Sequence, residues 1–187
     1  MSPESVRTRL CIISDTHTIP PFPSTDTKHA YRHPFPTSDV LLHCGDITKI
    51  GYIAEYEAIL DFLKQAPAEL KLVIAGNHDI TLHKELYLER LKNKHRNIPI
   101  DVDAVRELWT GDEARANGIV YLEEGVRTFN LSSGARFTVS RIEFALCVWI
   151  RQGLEEMHLF EEPPLEKHVT HSCGGDLWAA AQYKIDV

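Results

Sequence analysis

Three apolar runs in the first half of the chain each end in a short loop that carries Asp, His or Asn. The runs cover residues 10–13, 40–42 and 72–74, and the loops cover residues 14–17, 44–48 and 75–79. Continuous apolar runs of this length are typical of parallel strands that are covered on both faces. Because the carboxyl ends of such strands meet at one edge of a sheet, we expect the three loops to lie together there. The sequence therefore predicts an α/β fold with a polar site at that edge.

The size and composition of the chain agree with one globular domain. Its 187 residues are enough for a hydrophobic core. A hydrophobic fraction of 43% and a charged fraction of 25% are usual for a soluble protein. The net charge of −7 gives no reason to expect binding to nucleic acid or to an anionic membrane. We therefore expect neither partner.

The expected location is the cytoplasm. No apolar run approaches the roughly 20 residues that a membrane-spanning helix needs. The first nine residues also lack the apolar region of a signal peptide. The four cysteines are far apart, and Cys11 and Cys44 fall in predicted buried strands. We interpret them as reduced core residues and not as a disulfide framework.

The pattern along the chain divides it into a core, residues 1–139, and a tail, residues 140–187. Within the core, apolar spacing predicts helices over 52–65, 82–95 and 102–117 between the strands. A Ser-Ser-Gly-Ala turn after residue 131 predicts a β-hairpin. The tail loses this regularity after an apolar run at 144–150 that could be a strand, and we assign it no further structure.

The residue types in the three loops suit metal binding at that edge, because Asp, His and Asn side chains offer oxygen and nitrogen ligands. Asp15 and His17 are two residues apart, so in an extended strand their side chains share a face. Gly45 and Gly76 would let the backbone turn sharply where ligand and metal come close. Each motif alone is a weak signal, but three in order at strand ends are a strong one.

Taken together, Asp15-Thr16-His17, Gly45-Asp46 and Gly76-Asn77-His78-Asp79 resemble the motifs of the calcineurin-like metallophosphoesterase superfamily. The flanking residues resemble its small cytosolic branch, which includes the metallophosphoesterase-domain proteins of animal brain and their fungal relatives. The resemblance covers about residues 9–139. It implies a sandwich of mixed β-sheets flanked by helices, and the hydrolysis of phosphomonoesters or phosphodiesters.

The resemblance also implies a role for each motif residue. Asp15 and His17 would bind the first of two divalent ions, which would be Mn, Fe or Zn. Asp46 would bridge the two ions, and Asn77 would bind the second through its amide oxygen. His78 would contact the phosphate of a small substrate and assist the leaving group.

The family pattern is incomplete after residue 139. Ser140-Arg141-Ile142 stands where a Gly-Ser-Pro turn is expected, and no Gly-His-x-His is present. Thr170-His171 matches part of another motif, which makes His171 a weak candidate ligand. We therefore expect a sandwich that is incomplete at the C-terminus and a weak second metal site. The tail is either a genuine divergent end or the result of a mispredicted gene.

Two functions stay open. In the first, a hydroxide activated by the metals attacks the phosphorus of a small phosphoester. In the second, the chain is a catalytically impaired relative that binds metal or phosphate or serves as an interaction domain. The number of histidines near the metals would distinguish these functions. The sequence does not indicate an oligomeric state.

Overall fold

The computed structural model describes residues 6–20, 35–92, 100–142, 145–150 and 181–185. Its strands are β1 (Thr8–Ile13), β2 (Val40–His43), β3 (Leu70–Val73), β4 (Ile119–Tyr121), β5 (Gly125–Asn130), β6 (Arg136–Ile142), β7 (Ala145–Ile150) and β8 (Ala181–Ile185). Its helices are α1 (Ile53–Gln65), α2 (Lys84–Lys92), α3 (Val102–Thr110) and α4 (Asp112–Ala116), and a 3₁₀ turn covers Ile80–Leu82. None of the described helices has both the length and the apolar character to cross a membrane.

The strands form two sheets. The first has the order β4-β3-β2-β1-β8, in which β1 to β4 are parallel and β8 is antiparallel to β1. The second is an antiparallel sheet of order β5-β6-β7. The predicted α/β architecture of mixed sheets flanked by helices is confirmed.

The last residues of β1, β2 and β3 lie side by side. Ile13 pairs with His43, and His43 pairs with Val73. This register brings the three following loops to one edge of the parallel sheet, as the sequence predicts. The candidate site is therefore positioned by backbone hydrogen bonds of the sheet before any side chain is considered.

The parallel sheet is buried on both faces, because neighbouring residues of a strand point to opposite sides. Leu41 packs in a cluster with side chains of α1 and α3, among them Trp109. Leu42 packs on the other side against Phe137 and Val139 of β6. Leu41 and Leu42 are 0% and 2% exposed, and burying such a side chain stabilises a fold by about 1.5–3 kcal/mol. The molecule thus has three layers: helices, parallel sheet and antiparallel sheet.

The single helix predicted over 102–117 is wrong, because α3 ends at Thr110 and α4 begins at Asp112. Gly111 separates them with extended backbone, φ −72° and ψ 175°, while its amide donates to the carbonyl of Glu107 at 2.8 Å. A glycine inside a helix costs about 1 kcal/mol relative to alanine. The break therefore falls where continuing the helix is least favourable.

Part of the segment predicted as a tail contributes strands. β6 continues across residue 139 to Ile142, and the apolar run at 144–150 corresponds to β7. Strand β8 extends the parallel sheet beyond β1. His171 lies outside the described residues, and the division of the chain at residue 139 stays a prediction.

Candidate metal centre

Backbone hydrogen bonds join the loops that follow β1 and β2. The amide of Asp15 donates to the carbonyl of Gly45 at 2.9 Å, and that of His17 donates to Asp46 at 3.1 Å. The loop after β3 joins them through a side chain, since the His78 amide donates to Oδ1 of Asp46 at 3.1 Å. The three polar loops of the sequence therefore form one connected structure.

Two glycines allow the second and third loops to touch. A Cβ on Gly45 would lie 2.8 Å from the amide nitrogen of Gly76, and Gly45 has a φ of +99°. A Cβ on Gly76 would lie 2.2 Å from Oδ1 of Asp46. A side chain at either position would push the loops apart. The close approach that requires glycine is thus between the loops themselves.

Four residues other than glycine in these loops have positive φ. They are Asp15 at 54°, His17 at 43°, Thr18 at 71° and Asp46 at 52°. Such conformations cost on the order of 1–3 kcal/mol each and persist where the surrounding structure imposes them, often at functional sites. Here three of the four are the residues that the sequence singles out as metal ligands.

The loops bring one carboxylate and two imidazoles together. Ligand atoms of His17, Asp46 and His78 all lie within 4.8 Å of one another. The two imidazole centroids are 4.8 Å apart with the rings at 75°. Asp46 is buried, while both histidines are only half-buried. An ion could therefore reach this triad from solvent.

Both histidines of the triad are held in one tautomer. Nδ1 of His17 lies 3.1 Å from the carbonyl oxygen of Thr48, and Nδ1 of His78 lies 2.9 Å from that of Lys49. A carbonyl oxygen only accepts hydrogen bonds, so in the neutral ring Nδ1 carries the proton and Nε2 has the lone pair. Metal-binding histidines are usually oriented in this way by a partner on the other ring nitrogen.

Comparison with known proteins agrees with this geometry. Residues 8–178 match the sequence model of the calcineurin-like phosphoesterase family. The chain belongs to this family. Among its relatives, metallophosphoesterase domain-containing protein 1 of Homo sapiens and that of Mus musculus are each 30% identical over 127 residues. Probable rhamnogalacturonate lyase C of Emericella nidulans is 28% identical over 131 residues.

These relatives are longer proteins. The alignment with metallophosphoesterase domain-containing protein 1 covers 66% of this chain but 36% of the relative. The alignment with the lyase covers 70% of this chain and 10% of that protein. The family match runs well beyond residue 139, where the motif resemblance ends.

The donor atoms of the triad suit the divalent metals that calcineurin-like phosphoesterases bind. Two neutral imidazoles and one carboxylate are ligands that Zn²⁺, Fe and Mn²⁺ accept. Because the hydrogen bonds of both rings use Nδ1, each neutral ring keeps an electron pair on Nε2 for an ion. The buried carboxylate of Asp46 is a third electron-pair donor. The residues present therefore fit a divalent ion.

Two of the other predicted ligands, Asp15 and Asn77, are close to triad residues along the chain, and His171 lies outside the described residues. Oδ1 of Asp15 is 3.9 Å from Nε2 of His17, and the Asp15 side chain is exposed. Asn77 is exposed beside His78, and its role as an amide ligand stays a prediction. His78 was assigned to the substrate by the resemblance, and the structure places it among the candidate metal ligands as well.

Asp79 has a structural role that sequence reasoning missed. Its buried carboxylate accepts hydrogen bonds from the amides of Gly76, Ile47 and Thr48 at 2.9–3.0 Å, and from the Thr48 hydroxyl at 2.8 Å. Burial raises the pKa of Asp79, although these hydrogen bonds oppose the shift. The side chain thus ties the loop after β2 to the loop after β3. The signal in the sequence was the final Asp of the Gly-Asn-His-Asp motif, but two of its partners, Ile47 and Thr48, are 32 and 31 residues away.

Proposed function

We propose that this calcineurin-like phosphoesterase is a metal-dependent hydrolase of small phosphomonoesters or phosphodiesters. The observation that carries this proposal is the meeting of His17, Asp46 and His78 at the carboxyl edge of the parallel sheet. A site of this kind at that edge can receive a small substrate from solvent. Family membership supports phosphoester chemistry of some kind, and the substrate class is part of the proposal.

The proposal gives each side chain a role in metal binding. His17 and Asp46, with Asp15 beside them, would hold a divalent ion, and Asp46 and Asn77 would hold a second ion more weakly. A bound divalent ion would neutralise charge on phosphoryl oxygens and lower the pKa of a coordinated water. His171, which lies outside the described residues, stays a weak candidate for the second position.

His78 has two contributions, and the presence or absence of a proton on its Nε2 decides which one applies. Nδ1 of His78 donates to the carbonyl of Lys49. With Nε2 bare, the ring is a ligand or an acceptor. With a proton on Nε2, the ring can donate a hydrogen bond to a phosphoryl oxygen or protonate the leaving oxygen. The Lys49 carbonyl stabilises the ring orientation in both states.

A second function, binding of metal or phosphate without turnover, is favoured by the small set of donors. Among the described residues, His17, Asp46 and His78 are the one group of three His, Cys, Asp or Glu placed to hold an ion. The sequence also lacks the Gly-His-x-His expected of the family. Fewer protein ligands would leave more positions to water and would weaken metal binding.

The experiment is hydrolysis of bis(p-nitrophenyl) phosphate and p-nitrophenyl phosphate by the 187-residue chain, with and without Mn²⁺. We expect hydrolysis that requires the metal and that falls by about 100-fold or more in Asp46→Asn. Loss of a residue that only hydrogen-bonds to a metal ligand costs about 10–100-fold, and loss of a ligand itself should cost more. Asp61→Asn is the matched control, because Asp61 is exposed on α1.

Three outcomes separate the functions. Metal-dependent hydrolysis lost in Asp46→Asn and kept in Asp61→Asn supports the hydrolase. Folded protein that binds Mn²⁺ but does not hydrolyse either ester supports the binding function. Hydrolysis that is equal in the wild type and in Asp46→Asn contradicts both, because neither function then involves the triad.

A further inference from the structure

The loop that leads into α1 is wrapped around a single carboxylate, that of Glu55. Its two oxygens accept five hydrogen bonds over 2.9–3.3 Å. The donors are the hydroxyl of Thr18 and the backbone amides of Lys49, Ile50, Gly51 and Tyr52. Glu55 thus contacts the loops after both β1 and β2.

Helix capping explains only one of these hydrogen bonds. In a capping box, the side chain at the third helical position accepts from the amide of the N-cap residue, which here is Tyr52. The other four donors lie outside the helix. Burial alone would raise the pKa of Glu55, but the hydrogen bonds from Tyr52, Ile50 and the other donors outweigh it and lower the pKa. The side chain is therefore an anion when it holds this loop.

Two of the amides belong to peptide groups that also contact the triad. In the Thr48–Lys49 peptide, the N–H donates to Glu55 and the carbonyl accepts from His17. In the next peptide, Lys49–Ile50, the N–H donates to Glu55 and the carbonyl accepts from His78. The N–H and C=O of a trans peptide point in opposite directions. Glu55 and the imidazoles therefore lie on opposite sides of two successive peptide groups.

We propose that Glu55 is a positioning residue for the metal centre, and that it orients both His17 and His78 through these two peptide groups. The inference rests on the proposed metal-dependent function and names a residue that supports it. In many metal sites a carboxylate or a carbonyl contacts the ligating histidine directly. Here one peptide group lies between the Glu55 carboxylate and each imidazole. A single carboxylate can therefore orient two histidines.

The hydrogen-bond chain has a defined chemical effect. An anion bound to a peptide N–H polarises the peptide and makes its carbonyl oxygen a stronger acceptor. Each carbonyl then holds the Nδ1 proton of its imidazole more firmly and makes Nε2 a better electron-pair donor. Without the anion, both peptide groups could rotate, and the two rings would lose their common orientation.

Glu55→Gln is the test, and Glu57→Gln is the matched control on the exposed side of the same helix. The first readout is ¹⁵N-resolved NMR of the imidazoles in the metal-free protein. We expect His17 and His78 to change from one Nδ1-protonated tautomer to a mixture in Glu55→Gln. The ring of His43, which bonds to Thr16 instead, should stay as in the wild type.

The second readout is Mn²⁺ affinity by calorimetry. We expect Glu55→Gln to weaken binding by about 10–100-fold, the usual cost of losing a partner of a ligating histidine. Glu57→Gln should bind Mn²⁺ as the wild type does. Both readouts are independent of phosphoester hydrolysis, so they hold even if the chain proves to be inactive on every substrate.

A role in helix capping alone would give a different result. Thermal unfolding would then shift in Glu55→Gln, while the imidazole signals and the Mn²⁺ affinity would stay at their wild-type values, and this outcome would overturn the proposal. If Glu55→Gln does not fold, Thr18→Ala replaces it, with Thr18→Ser as control. Thr18→Ala loses the hydroxyl that Thr18→Ser keeps, so Thr18→Ala alone should shift the same two histidine signals, and unchanged signals in Thr18→Ala would count against the proposal.

Discussion

Asp79 and His43 are buried polar residues close to the triad, and both stabilise its loops without belonging to it. Asp79 joins the loops after β2 and β3 through three hydrogen bonds from Ile47 and Thr48. His43 contacts the first loop, since its Nε2 lies 2.9 Å from the hydroxyl of Thr16. That hydroxyl donates to the carbonyl of Ile47, so it accepts from His43. Single buried residues therefore connect loops that are distant in sequence.

His43 makes the stability of the protein depend on pH. Its Nε2 carries the proton given to Thr16, and its buried Nδ1 contacts no hydrogen-bond partner among the described residues. Burial, and secondly repulsion by His17, lower the pKa of His43 from 6.5 to about 3. As pH falls below 6.5, the unfolded chain takes up a proton that the folded chain does not. This part of the stability is present above pH 6.5 and is lost as pH falls toward 3.

We expect the wild type to lose about 2 kcal/mol more unfolding free energy than His43→Gln between pH 7 and pH 5. Urea unfolding of both proteins at the two pH values measures this difference. The other histidines affect both proteins alike and cancel in the comparison. Equal losses in the two proteins would show that His43 is not held neutral by the fold.

At the scale of elements, the site depends on the contact between the loops after β2 and β3. Sheet register sets the strand ends side by side, and glycine then lets the two loops approach to backbone contact. Part of this was predictable, because Gly45 and Gly76 precede the motif aspartate and asparagine in the sequence. Their mutual contact was not predictable, since it joins residues 31 positions apart.

Gly45→Ala measures the contact between these loops, and Gly134→Ala is its control. Both glycines have positive φ, +99° and +88°, but a Cβ on Gly134 meets nothing within 4 Å. Both changes should cost about 1–2 kcal/mol for the backbone conformation. Gly45→Ala should cost a further ~1–3 kcal/mol for overpacking and should weaken Mn²⁺ binding. Chemical denaturation with equal losses for both variants would argue against a tight contact.

At the scale of the whole molecule, the candidate centre joins three consecutive strands of the parallel sheet. Helices cover one face of this sheet and β6 packs on the other. The loops at its edge carry the strained residues, while most residues of the strands behind them are buried. A rigid three-layer fold therefore holds the loops in conformations that they would not adopt alone.

Because a bound ion would connect all three loops, metal should stabilise the folded state of the whole chain. An ion at 100 times its Kd stabilises by about 2.7 kcal/mol, which raises the Tm of a domain of this size by roughly 5–10 °C. Thermal unfolding with and without Mn²⁺ measures this shift. Asp61→Asn should show the full shift and Asp46→Asn little of it. A shift of equal size in Asp46→Asn would place the ion elsewhere.

The sequence alone determined the strand ends, the polar loops and most of the candidate ligands. Apolar runs and motif spacing are local properties, so they are readable without a fold. The motifs include the triad residues His17, Asp46 and His78, of which the resemblance assigned His78 to the substrate, while Asp15 and Asn77 stay predicted ligands. The helix break at Gly111 was missed because apolar spacing continues across it.

Only the tertiary structure decided how these residues are held. The hydrogen bonds of Asp79, and the peptide groups that link Glu55 to the imidazoles, depend on strand register and on loops with positive φ. Side chains separated by about 30 residues meet only after the sheet has formed. A one-dimensional pattern records which groups the chain carries, whereas their distances and orientations arise from packing.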